Sequence, residues 1–256
     1  MSLIADPTYL RGQQYKTADN LCTRAALHQR FSLNPQGWLR WVLDQLALRP
    51  GLRVLEVGGG PGLLWRENLD RLPAGLAVTF SDFSPGMIAA ARSGLADARF
   101  RFAVLDAQAL PFPAASFDLV IANHMLYHVP DLPRAVRELA RVLRPAGRLA
   151  AATNGQAHLR ELHALMHAFD PGYAVPVAGV TGRFALENAA AVLGAAFPRV
   201  EVHAFAIRSS TGFQSGLGAL TPERAADLEA FFRGRLAAAG GLHIGKALGL
   251  AMAHRE

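Results

Sequence analysis

The segment from Val54 to Gly62, VLEVGGGPG, constrains this chain more than any other. Val54, Leu55 and Val57 surround a single carboxylate, Glu56, and lead directly into Gly58, Gly59, Gly60 and Gly62. A short apolar run that ends in glycine reads as a buried parallel strand turning sharply toward a helix. A turn so poor in side chains lets a ligand touch backbone, because the N–H groups at the start of the helix face outward. The rest of the chain then has to supply an α/β sheet whose strand ends open on a crevice.

Glycine spacing separates two classes of ligand for such a loop. The dinucleotide pattern G-x-G-x-x-G fails in both frames, since Leu63 stands three residues after Gly60 and Trp65 three after Gly62. What remains is E-x-G-x-G-x-G, carried by Glu56, Gly58, Gly60 and Gly62. On these residues the chain resembles the class I methyltransferases that use S-adenosylmethionine. The resemblance implies a doubly wound, Rossmann-like α/β fold: a seven-stranded, mostly parallel sheet with an antiparallel last strand, preceded by a helical cap. It also implies a loop that cradles the methionine and ribose part of the cofactor, with Glu56 near its amino group. The family's frequent Cys between the first two glycines is Gly59 here, a departure expected to loosen the turn.

The 256 residues suffice for one large core. Residues 1–48 read as an N-terminal arm and helical cap, and residues 49–256 as the main domain. In the cap, helices are expected over Asp19–Phe31 and Gln36–Leu48, with Trp38, Trp41, Val42 and Leu46 on one apolar face and the two tryptophans assigned to the core. By resemblance the cap closes over the cofactor, which makes Tyr9 and Tyr15 of the arm candidate substrate contacts. The net charge of +6 comes mostly from arginines scattered singly, without the clustering that a nucleic acid groove needs. A small-molecule acceptor is therefore expected rather than a nucleic acid or a membrane, for a monomer or homodimer. The amino terminus lacks a basic start followed by an apolar run, so a cytoplasmic location is expected. Cys22 permits no internal disulfide and reads as an ordinary buried thiol.

Past the glycine loop, a helix is expected over Leu63–Leu72 and a strand over Leu76–Phe80 that closes on Ser81-Asp82. A carboxylate at this strand end suits two vicinal ribose hydroxyls. Ser84-Pro85 then opens a helix, serine as N-cap and proline in the first turn. The phrase SDFSPGM, with Phe83 and Met87, resembles the family closely, as does the Asp106-Ala107 pair after the third strand, which by resemblance meets the adenine. Strand four ends on Asn123, followed by His124, Met125, Leu126, Tyr127 and His128, and this cluster is expected to border the transferable methyl. Asn123 is assigned to the cofactor, His124 and His128 to general base catalysis, and Tyr127 with the more distant His158 to substrate.

After a helix over Leu132–Leu143, a turn at Arg144–Gly147 and a strand from Leu149, the remaining chain is less informative. Helices are expected over Gln156–Phe169, Phe184–Leu193 and Pro222–Ala238, strands over Arg199–Ile207 and Leu242–Met252, and loops over Pro171–Thr181 and Ser209–Leu220. His163 and His167 have i, i+4 spacing, yet no H-E-x-x-H pattern or third ligand accompanies them, so no metal is expected. Two alternatives stay open. One is a nucleic acid (RNA) methyltransferase, although the N-P-P-Y-type motif is missing because Asn123 is followed by His124 and Met125. The other is a cofactor-binding protein without catalysis.

Overall fold

The computed structural model describes residues 6–14, 16–17, 34–172, 182–210, 222–239 and 243–256. The expected helix over Asp19–Phe31, Tyr15, Cys22 and the loop segments 173–181 and 211–220 lie outside the described residues.

Strands β1 (Arg53–Glu56), β2 (Ala77–Asp82), β3 (Phe100–Val104), β4 (Phe117–Asn123), β5 (Leu143–Asn154), β6 (Arg199–Ser210) and β7 (His243–His254) form one sheet. Their spatial order is β3-β2-β1-β4-β5-β7-β6. The first five strands pair in parallel, and β7 runs antiparallel to both β5 and β6. This is the doubly wound sheet with an antiparallel last strand that the sequence leads one to expect. The order reverses between β1 and β4, which opens a crevice at their carboxyl ends.

Helices α1 (Trp38–Leu46), α2 (Leu63–Arg66) and α3 (Pro85–Gly94) cover one face, where Leu46, Trp65 and Ile88 pack on Val54, Phe80, Ile121, Ala152 and Leu250. Helices α4 (Leu132–Val142) and α6 (Leu186–Gly194) cover the other, with Val136, Leu139 and Leu193 on Leu55, Val120, Ala151 and Ala253. Alternation along buried strands sends neighbouring residues to the two cores. Helix α5 (Arg160–Phe169) and helix α7 (Pro222–Ala239) pack with Ile244 through Leu162, Met166, Leu228 and Phe232.

Several expected boundaries differ, each for a local reason. The helix expected over Leu63–Leu72 is broken into α2 and a 3-10 turn at Leu69–Arg71. The buried amide of Asn68 donates to the carbonyls of Leu64 at 2.7 Å and Leu39 at 3.2 Å, ending the helix and tying it to α1. The Arg144–Gly147 turn lies inside the span of β5 as a bulge: Phe117 pairs with Leu143 and Leu119 with Arg148, so the intervening residues bow out, Ala146 at φ +61°. Ala47 and Leu159, at φ +42° and +57°, stop α1 short of Leu48 and delay α5 to Arg160.

Among the arm's described residues, Asp6 caps the short helix Pro7–Tyr9, which continues as a π turn over Leu10–Gln14. Described residues of the arm reach the sheet domain at Phe83 and Gly86. The Arg11 guanidinium lies over the Phe83 ring, 4.7 Å from its centroid, and the Lys16 carbonyl rests against Gly86, leaving no room for a Cβ there.

Candidate active site

Register places one polar side chain after another on the α1 face of the sheet, at the carboxyl ends of its strands. Glu56 pairs with Phe80 and Ile121, Asn123 with Ala152, and Asn154 with Leu248, and Phe80, Ile121 and Ala152 all belong to the core under α1. Asp82, two residues beyond Phe80, joins the same row.

The loop after β1 is built by close approach. Gly58, Gly60 and Gly62 have φ of +63°, +59° and +77°, a region that costs other residues about 1–2 kcal/mol. A Cβ on Gly58 would fall 2.7 Å from Met125 Cβ, and one on Gly62 2.7 Å from Leu95 Cδ1. At Gly59 the expectation of a loosened turn is corrected: a Cβ there would lie 2.5 Å from two carbons of the Phe80 ring, which fills the volume a cysteine side chain would take.

Glu56 is 1% exposed. It accepts hydrogen bonds from Trp65 Nε1 and from the Asn123 side chain, and burial, outweighing these bonds, pushes its carboxyl up to about 8. It braces the floor of the crevice rather than opening into it. Asn123, spending its amide N–H on Glu56, keeps a buried Oδ1 with no hydrogen-bond partner among the described residues, an acceptor suited to a ligand's ammonium. The Asp82 carboxylate accepts from Gly60 N at 2.9 Å and Ser84 N at 2.7 Å, which joins the loop to the start of α3, and its burial raises its pKa. Phe83 N–H donates to it as well, which leaves one lone pair for a hydroxyl donor. Ser84 caps α3 through Met87 N at 3.4 Å, Met87 itself is fully buried, and Phe83 lies under Arg11. Beyond β3, Asp106 accepts from Gln108 N at 2.8 Å and Gln108 Nε2 at 3.0 Å, beside the buried Ala107.

His124 stands just past β4 at φ +52°, its N–H extending the β4–β5 ladder to Ala152 O at 3.0 Å. Strain of this kind at a strand end turns the imidazole out of the alternation, and its ring meets Trp38 at 5.7 Å between centroids. Trp38 stacks on Trp41 at 5.3 Å, and both contact Phe205, at 5.4 and 4.9 Å. The tryptophans are thus half-buried and border the crevice as well as the core. Phe205 and Trp38 are contacts the sequence did not bring to the site, because a pairing of α1 with β6 leaves no local pattern.

The structure does not bring Tyr127, His128 and His158 into this row. Tyr127 is buried with the core under α4, and His128 makes an edge contact with its ring. His158 Nδ1 lies 3.0 Å from Ala247 O, on the backbone of β7. Tyr9 sits in the arm's short helix. Arg183 Nη2 donates to Pro130 O at 2.9 Å, clamping the segment after Tyr127 and His128. Among the described residues no group of His, Cys, Asp and Glu is arranged to hold a metal ion, and no helix is long and apolar enough to cross a membrane.

The sheet order, the glycine loop and the carboxylates at the ends of β1 and β2 define a Rossmann-like, class I methyltransferase fold. Residues 55–151 match the family described as a methyltransferase domain. Across 118 residues the chain is 39% identical to the ubiquinone/menaquinone biosynthesis C-methyltransferase UbiE of Hahella chejuensis, covering 44% of this chain and 47% of that protein. It is 38% identical over 115 residues to the demethylmenaquinone methyltransferase of Beutenbergia cavernae, covering 45% and 46%. The chain spans about half the length of these curated relatives. Among solved structures, the phosphoethanolamine N-methyltransferase 2 of Haemonchus contortus in complex with S-adenosyl-L-methionine superposes with a TM-score of 0.61 at 19% identity, over 98% of this chain and 60% of that one. The [4+2]-cyclase SpnF superposes with a TM-score of 0.62 at 21% identity, over 97% of each chain. A cyclase on this fold means that the fold alone does not decide the reaction.

Proposed function

We propose that this protein transfers a methyl group from S-adenosylmethionine to an O, N, S or C atom of a small molecule. The observation that carries the reading is the buried Oδ1 of Asn123, unpartnered among the described residues, together with the glycine-rich Gly58–Gly62 loop and the Asp82 carboxylate. An ammonium donor for Asn123, a hydroxyl donor for Asp82 and a backbone-hugging chain between them describe the amino acid and ribose parts of that cofactor. Asp106 and Ala107 take the adenine. The cofactor supplies an activated sulfonium methyl, and the protein's part is to align the acceptor and exclude water. His124 faces that acceptor and accepts its proton where it has one to lose. A small acceptor is supported by aromatic walls at Trp38, Trp41 and Phe205 and by the names of the relatives matched over half their length.

The test is thermal denaturation with candidate ligands. S-adenosylmethionine and S-adenosylhomocysteine raise the melting temperature, because both bind only the folded chain, while NAD does not. Stabilisation by NAD with none by either sulfur nucleoside would overturn the reading.

A further inference from the structure

Lys246 is one of only two lysines among the chain's 26 basic residues, and it interrupts an otherwise uncharged run, Ile244 to Met252. A chain that uses arginine almost everywhere keeps a compact ammonium here. The residue is 5% exposed, and among the described residues nothing accepts a hydrogen bond from its Nζ. The Glu161 carboxylate of α5 accepts from the N–H of the adjacent Gly245 at 2.9 Å. Burial without a partner lowers its pKa to about 8. An uncompensated buried charge is costly, and structures keep one where a ligand completes it.

Its position says which ligand. Strand β7 extends past the end of β5, whose last residue, Asn154, pairs with Leu248. Lys246 pairs with Ile207 and Leu248 with Phe205, so alternation puts Lys246 on the same face as Leu248 and Phe205. Those two pack with Trp38 and Trp41, and Trp38 touches His124. One face therefore runs from Asn123 and His124 through the aromatic group to the ammonium.

We propose that Lys246 binds an oxyanion of the methyl acceptor, whose planar apolar body lies along Trp38, Trp41 and Phe205. This rests on the methyltransferase reading above for the direction in which the acceptor lies. An aryl carboxylate is the matching ligand class.

The experiment titrates the protein, with and without saturating S-adenosylhomocysteine, with 2-naphthoate and with its neutral isostere 2-naphthamide, followed by calorimetry. The wild type binds the carboxylate at least tenfold tighter than the amide. Lys246→Met binds both with the affinity of the wild type for the amide, while Lys246→Arg keeps the preference for the carboxylate. Equal affinities in the wild type, no binding of naphthoate, or a preference that survives in Lys246→Met overturns the proposal. The wild-type comparison stands even if a variant fails to fold. Failure of S-adenosylhomocysteine to bind overturns the cofactor reading separately, because the naphthoate preference is also measured without it.

Discussion

Glu56 shows how one buried carboxyl ties structure to ligand. With its pKa near 8 it carries a proton at neutral pH in the free protein. The cofactor's ammonium and sulfonium favour the ionised form, so binding at pH 7 expels a proton. Calorimetry of S-adenosylmethionine binding in phosphate and in Tris therefore gives different apparent heats, and the difference vanishes in Glu56→Gln. Identical heats for the wild type in the two buffers would refute this coupling. Asp82→Ala removes a charge-assisted acceptor, an interaction typically contributing about 1.5–3 kcal/mol, and weakens cofactor binding at least about tenfold. Affinity unchanged by calorimetry would mean that the ribose is held elsewhere. His124→Ala leaves cofactor affinity nearly intact and lowers turnover by ~10²–10⁴-fold once an acceptor is in hand; near wild-type turnover would take the imidazole out of the reaction.

At the level of elements, the glycine loop is matched to the strand beside it. Gly59→Cys places a Cβ only 2.5 Å from two carbons of the Phe80 ring, and overpacking of this sort costs typically about 1–3 kcal/mol. The melting temperature of Gly59→Cys falls, and adding Phe80→Leu restores part of it. Equal losses in the single and double variants would show that the ring is not the obstacle. This half of the molecule was legible in the sequence because its signals are local: glycine frame, carboxylates at the ends of β1 and β2, a serine cap before proline. The acceptor side was not. Trp38, Phe205 and Lys246 come to one face only through the register of β6 and β7 and the seating of α1, and the small residues in the run from Ile244 to Ala253 blur the alternation that would have oriented the lysine. Tyr127 misled for the opposite reason, since it stands in the right stretch but falls under α4 into the core.

Across the whole molecule, Glu56 and Lys246 shape stability against pH in opposite directions, and the buried Asp82, its pKa also raised, acts in the same direction as Glu56. Below pH 4.5 Glu56 is protonated in both states. As pH rises to about 8 only the unfolded chain has lost the proton, so stability falls through that window. Lys246 is charged in both states below about 8 and bears its full burial penalty there. Between about 8 and 10.5 the folded state alone sheds the proton, and stability recovers by on the order of 3 kcal/mol. The melting temperature thus passes through a minimum near pH 8. Lys246→Met melts higher than the wild type at pH 7 and loses the alkaline rise; a variant that keeps the rise would assign it to another group. The sheet also divides its labour along the chain. Residues 55–151 hold the loop, Asp82, Asp106, Asn123 and His124, whereas Trp38, Trp41, Phe205 and Lys246 all come from outside that stretch. On the proposed function, selection is thereby free to rewrite which compound is methylated while leaving the cofactor side untouched, and exchanging the β6–β7 ribbon together with α1 is the graft that carries a new acceptor preference onto the same cofactor half.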